Sequence, residues 1–215
     1  MSITTSGGRK ICFRICPSFI ASISWTKGCT CLEADTRTPP IAGPDPTSRI
    51  AVLKNGRLQQ HATPRAIYEK PANQFVAYFV GSPSMNFFDG SIKRDECGLK
   101  FLSADFSYSI PGHLSQALDR LPPVENVTLG IRPEHIRVTR QVAASPAMQG
   151  IVDVLEPIGR ELHVELILGE TSIVAITPPS LDLRVGERVS LQFDNQWCHL
   201  FHRESSVNLL ASSAH

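Results

Sequence analysis

The sequence predicts a mainly β chain, in which a barrel-like domain follows a short α/β segment with one hairpin and helices. Short apolar runs separated by Gly and Pro recur from Met85 to Phe201, as expected for a small barrel or sandwich. From Leu162 to Leu168 every second side chain is apolar, so one face of the predicted strand is strictly apolar. The hydrophobic content of 42% is enough for a packed core.

Residues 1–48 differ in character from the rest of the chain. They show neither helical nor strand periodicity, and prolines crowd their end at positions 39, 40, 44 and 46. We expect a disordered extension here. Four cysteines fall in it with C-x3-C and C-x-C spacings that match no common zinc site, so we expect free thiols and no metal. These are Cys12, Cys16, Cys29 and Cys31.

The next segment predicts a hairpin and then two helices. Asn55-Gly56 is a preferred two-residue turn between strands over residues 50–60, because both positions tolerate positive φ. Thr63 is placed to cap a helix, with Pro64 at the first helical position, where its missing N–H is harmless. A second helix ends before Gly81. Its predicted apolar face holds Phe75, Val76, Phe79 and Val80.

From Met85 onward the pattern is that of strands. One helix is expected at His113–Leu121, where apolar residues recur on a single face. The predicted strands cover residues 87–92, 98–101, 106–110, 126–131, 136–138, 150–155, 162–168, 171–176, 188–193 and 197–201.

Polar residues gather where the apolar strand Asn126–Ile131 ends. Pro133 lacks a backbone N–H and ends the strand ladder, and it biases Arg132 towards an extended conformation. Arg132, Glu134 and His135 therefore collect at one strand end. Spacing alone leaves two interpretations, a polar turn that caps the strand and a binding site, and it favours the polar turn. Arg132 could pair with a carboxylate of a partner, or with Glu134 within the turn.

Bulk properties exclude several classes of function. The net charge of +1 gives no electrostatic case for a nucleic-acid partner, and no apolar run is long enough for direct membrane insertion. No Ser-His-Asp or Cys-His pattern indicates nucleophilic catalysis. A metal site from His163, His199 and His202 would need these residues to converge, and scattered surface histidines are the commoner arrangement.

Three stretches carry a resemblance to a known family, and they cover the chain from about residue 49 to its end. In chain order they are Arg49-Ile-Ala-Val-Leu-Lys-Asn-Gly-Arg-Leu-Gln-Gln with Thr63-Pro-Arg-Ala-Ile-Tyr-Glu-Lys-Pro-Ala-Asn, then Phe75-Val-Ala-Tyr-Phe-Val-Gly-Ser-Pro-Ser-Met-Asn-Phe, then Gly130-Ile-Arg-Pro-Glu-His-Ile. Together they resemble the C-terminal part of the ATP-binding subunits of carbohydrate-importing ABC transporters, of the maltose and glycerol-3-phosphate type.

The resemblance implies a domain order. Residues 81–215 would be an OB-type regulatory domain, residues 49–80 the C-terminal remnant of a nucleotide-binding domain, and residues 1–48 foreign to the family. The implied partners are a second ATPase subunit and the membrane-spanning importer subunits, at the cytoplasmic side of the inner membrane. The implied interface residues are Ser82, Met85, Asn86, Arg132, Glu134 and His135.

The parent family binds ATP and magnesium, but this sequence shows neither a G-x-x-x-x-G-K-[ST] phosphate loop nor a Leu-Ser-Gly-Gly-Gln signature. We therefore expect no catalytic residue, no cofactor and no ATPase activity in this chain. One hypothesis is that residues 1–48 come from a truncated or frame-shifted reading of a longer gene. The alternatives are a free-standing ligand- or protein-binding module, and a product without function.

Overall fold

The computed structural model describes residues 49–96, 98–122, 124–140 and 148–210, together with the backbone of four short strands nearer the N terminus. These are β1 (Ser2–Thr4) with β2 (Lys10–Cys12), and β3 (Arg14–Ile15) with β4 (Ala21–Ser22), each an antiparallel pair. The rest of the expected extension over residues 1–48 lies outside the described residues, as do the four clustered cysteine side chains.

The chain divides into two compact units, Met1–Ala72 and Asn73–His215. In the first, the predicted hairpin is present as β5 (Ile50–Lys54) and β6 (Arg57–Ala62). Its turn residue Asn55 has a φ of 50° and Gly56 a φ of 76°, as the two-residue turn requires.

Helix α1 (Pro64–Glu69) follows the hairpin, and its predicted cap is confirmed. The Thr63 hydroxyl accepts a hydrogen bond from the Ala66 amide at 3.3 Å. The side chain of Gln60 accepts from the Ala72 amide at 2.8 Å and donates to the Lys70 carbonyl at 2.9 Å. The end of α1 is thereby tied back to β6.

The second unit begins with helix α2 (Gln74–Phe79), capped by the Asn73 side chain at 3.0 Å from the Val76 amide. Its buried residues are Val76 and Ala77, so the buried face is rotated from the predicted one. Phe75 and Phe79 instead stack on each other at 5.6 Å between ring centroids and are only partly buried. Although α2 falls in the predicted 49–80 segment, it belongs to the second unit.

Two five-stranded antiparallel sheets form the body of this unit. The first sheet has the order β16-β10-β7-β8-β9, and the second sheet β11-β15-β12-β13-β14. The first-sheet strands are β7 (Asn86–Asp95), β8 (Gly98–Leu102), β9 (Ser107–Ser109), β10 (Asn126–Ile131) and β16 (His199–His202). The second-sheet strands are β11 (Ile136–Thr139), β12 (Met148–Ile158), β13 (Glu161–Leu168), β14 (Thr171–Thr177) and β15 (Arg188–Phe193). The prediction of a mainly β chain is confirmed.

The two sheets share one apolar core. Phe88 of β7 lies 5.6 Å from Phe193 of β15, and Phe106 meets both rings edge to face at 5.0 and 5.8 Å between centroids. In β13 the predicted alternation is present, with Leu162, Val164, Leu166 and Leu168 buried. Cross-sheet aromatic contacts of this kind hold the sheets face to face.

Helix α3 (Gly112–Leu118) is shorter than the predicted His113–Leu121. The Arg120 and Leu121 amides donate to carbonyls three residues back, so the chain tightens into a turn there. Pro122 explains the early end, because a residue before proline is disfavoured in the helical region.

Candidate functional site

The turn after β10 is a single 3-10 turn over Pro133–His135. Pro133 is buried at its first position, where no N–H is needed. The His135 amide donates to the Arg132 carbonyl at 3.0 Å, and the Asp194 amide donates to the His135 carbonyl at 2.9 Å. The turn thus passes the chain from the first sheet into β11 of the second.

Arg132 points into the protein. Its side chain is the largest of the fully buried ones, with 2% of the residue exposed. Nη1 donates to the carbonyl of Val80, the C-cap residue of α2, at 2.7 Å. One nitrogen of the guanidinium is thus used within the chain, and the expected pairing of Arg132 with a carboxylate, of a partner or of Glu134, stays a prediction.

Asn86 fastens the two sheets to each other. Its Nδ2 donates to the Val174 carbonyl at 2.8 Å, and the Val174 amide donates to its Oδ1 at 2.9 Å. Nδ2 also reaches the Ile131 carbonyl at 3.4 Å. The side-chain amide of Asn86 therefore forms the same pair of hydrogen bonds with β14 that the backbone of a neighbouring strand would form.

Met85 is also buried, at 3% exposure, and packs with Ala77 and Phe201. A Cβ on Gly130 would lie 2.7 Å from the Met85 sulfur and 2.8 Å from a Phe201 ring carbon. Gly130 is thus required for this close approach, and Met85 packs against the strand that leads into the turn.

The remaining predicted interface residues lie on the surface. Ser82 and Glu134 are exposed, and Ser82 precedes Pro83 across a cis peptide bond. His135 is partly exposed and stacks on Trp197, with ring centroids 4.6 Å apart and planes within 5°. A concavity of about 220 Å³ lies beside Glu134 and His135, and Ile176 also lines it. Its role as an interface stays a prediction.

Histidines near the turn are held neutral. Burial lowers the pKa of His135, opposed by Glu134 and Asp194 and aided by Arg132. Burial, followed by the charges of Arg132 and His135, lowers the pKa of His199 to about 4. The prediction that His199 is a surface residue is wrong, since it is 8% exposed on β16. The apolar neighbours Cys198 and Leu200 were the sequence signal for this burial.

The thiol of Cys198, which directly precedes β16, is not activated. Cys198 is buried, and burial raises the pKa of its thiol to about 11, so the thiolate nucleophile is disfavoured. Within residues 49–96, 98–122, 124–140 and 148–210, no group of three or more His, Cys, Asp or Glu side chains is placed to hold a metal ion. In the same ranges, no helix is both long and apolar enough to cross a membrane.

Two domain families match the second unit. Residues 81–136 match the MalK OB fold domain, and residues 129–201 match the TOBE domain. The two ranges overlap at residues 129–136. This overlap contains Arg132 and the turn Pro133–His135, which together are called the Arg132 turn. The prediction of an OB-type domain is confirmed.

Similar proteins include the xylose/arabinose import ATP-binding protein XacK of Haloferax volcanii, 37% identical over 161 residues, covering 73% of this chain and 40% of that protein. The putative uncharacterized ABC transporter ATP-binding protein YcjV of Escherichia coli K12 is 31% identical over 161 residues, covering 74% and 43%. The trehalose import ATP-binding protein SugC of Mycobacterium tuberculosis is 29% identical over 188 residues, covering 75% and 47%. The chain spans less than half the length of each of these relatives.

Among solved structures, the cytoplasmic molybdate-binding protein ModG is similar with a TM-score of 0.42 and 16% identity, over 54% of this chain and 94% of that chain. The relatives named above include import ATP-binding proteins of ABC transporters, as the resemblance implied. Residues 81–201 of this chain therefore match the MalK OB-fold and TOBE domain families, and the homologues include ATP-binding proteins of sugar-import ABC transporters.

Proposed function

We propose that this chain serves as the C-terminal regulatory and dimer-contact part of an ATP-binding subunit in an ABC importer for sugars or related solutes. The observation that carries the proposal is the Arg132 turn. It lies where the two matched domains overlap, its Arg132 and Pro133 are buried, and its Glu134 and His135 reach the surface. Ser82, two residues after the Val80 carbonyl that Arg132 bonds, is exposed as well. A rigid turn with exposed polar residues is suited to a protein contact.

The proposed partners are a second ATP-binding subunit and the membrane-spanning subunits of the importer. They would place the chain at the cytoplasmic face of the inner membrane. In this proposal the 215 residues hold no ATP or magnesium and do not turn over ATP by themselves. An ATPase assay on the purified chain checks this part, and turnover above the buffer rate would contradict it.

The contact itself is tested by co-purification of the tagged chain with intact subunits of a sugar importer. We expect Glu134→Lys, which reverses a charge beside the turn, to lower the recovered importer subunits about fivefold. Glu96→Lys is the matched control, because Glu96 is exposed at the opposite end of β7 from Asn86. Equal recovery with both variants would mean that the turn is not the contact surface.

A further inference from the structure

The ends of β7 and β10 form a meeting point of three parts of the second unit. Asn86 and Ile131 are paired in the sheet register, and Arg132 follows Ile131 directly. From these adjacent positions, the Asn86 side chain runs to the second sheet and the Arg132 side chain runs to α2. A displacement of either strand end would therefore act on both connections.

The connection to the second sheet has a defined geometry. Both the amide and the carbonyl of Val174 bond the Asn86 side chain, at 2.9 and 2.8 Å. A planar amide that donates and accepts at one residue fixes both its distance and its rotation. Asn86 therefore ties the start of β7 to the edge strand β14.

The connection to α2 is made by a buried cation. The Arg132 guanidinium bonds the carbonyl of Val80, where the partial negative charge of the helix end favours it. The other end of α2 is held separately, because the Gln74 amide donates to the Ser206 carbonyl at 2.9 Å. Arg132 therefore stabilises the C-terminal end of α2.

We propose that Asn86 and Arg132 form a coupling junction, through which the C-terminal end of α2 and the edge strand β14 are stabilised or loosened together. The junction is a property of the fold of this chain. Its use in an importer, where it would couple α2 to the two sheets of the regulatory domain, rests on the proposed function. Measurements on the chain alone therefore separate a failure of the junction from a failure of the proposed function.

Amide hydrogen exchange in the full chain tests the coupling. Asn86→Leu removes the bonds to Val174 and touches neither atom of the bond between Arg132 and Val80. We expect the Val80 amide, which bonds the Val76 carbonyl inside α2, to exchange about tenfold faster in this variant. By reciprocity, Arg132→Met should accelerate exchange of the Val174 amide.

Asp105→Ala is the matched control. Asp105 also bonds the start of β14, accepting from the Glu170 amide at 3.1 Å and from the Thr171 hydroxyl at 2.8 Å. It lies between β8 and β9, however, and neither of these strands pairs with β10, which leads to Arg132. We expect it to leave Val80 exchange unchanged. Equal acceleration by both variants, or none by Asn86→Leu, would overturn the proposal. If Asn86→Leu does not fold, Asn86→Ser removes the same amide and carries the same test.

Discussion

Acid should destabilise this fold through His199, which is buried beside a permanent cation. Burial, then the charges of Arg132 and His135, lowers its pKa from 6.5 to about 4. Between these values the unfolded chain binds a proton that the folded chain excludes. The stability that this group contributes is therefore fully present above pH 6.5 and is lost as the pH falls towards 4.

The size of the effect follows from the shift. Lowering the pKa of His199 from 6.5 to about 4 corresponds to about 3 kcal/mol of unfolding free energy, at about 1.4 kcal/mol for each tenfold change in proton affinity. At pH 4.5 His199 of the folded chain is already partly protonated, so the loss there is somewhat smaller, about 2–3 kcal/mol. Typical domains are stable by about 5–15 kcal/mol, so this loss would be readily measured.

Urea unfolding of the wild-type chain and of His199→Gln at pH 7.5 and pH 4.5 is the assay. Gln keeps a polar side chain of similar size but does not titrate, so the variant should lose about 2–3 kcal/mol less than wild type between the two pH values. The control is His113→Gln, at an exposed histidine on α3, which should follow wild type. Parallel losses in wild type and His199→Gln would refute the assignment of this acid sensitivity to His199.

Two further substitutions test packing and capping. Gly130→Ala should lower the unfolding free energy by about 1–3 kcal/mol, because the new methyl group would lie less than 3 Å from atoms of Met85 and Phe201. The control is Gly112→Ala, because no atom lies within 4 Å of the Cβ added there. Equal urea midpoints for the two variants would contradict the clash. Asn73→Ala should lower the unfolding free energy by about 1 kcal/mol, because the Val76 amide loses the hydrogen bond to the Asn73 side chain that caps α2. Hydrogen exchange should then show faster exchange at the Val76 amide, and unchanged protection would argue against the cap.

The strands were predictable because their signals are local. Asn126–Ile131 and Arg188–Phe193 have the bounds that periodicity predicts. Strand β12 extends past its predicted end at Leu155 because Ile158 pairs with Glu161 across the turn into β13. The end of a strand depends on whether its partner continues, and that information lies elsewhere in the chain.

The position of the Arg132 turn was predictable, but the destinations of its side chains were not. Arg132 bonds a carbonyl 52 positions away, and Asn86 bonds one 88 positions away. Residue type indicates that an arginine or an asparagine needs hydrogen-bond partners, but only the tertiary fold supplies these particular carbonyls.

Some polar side chains of this region point into the protein and others point to the solvent. Because the two proposals rest on different groups of side chains, they can be tested independently. Asn86 and Arg132 point inward and set the geometry of the turn, so replacing them should alter exchange within the isolated chain. Ser82 and Glu134 point outward, so replacing Glu134 should alter recovery of a partner while leaving that exchange unchanged. A variant set in which Glu134→Lys changed the exchange of Val80 would show that the turn is not rigid. The contact and the coupling would then have to be treated as one property.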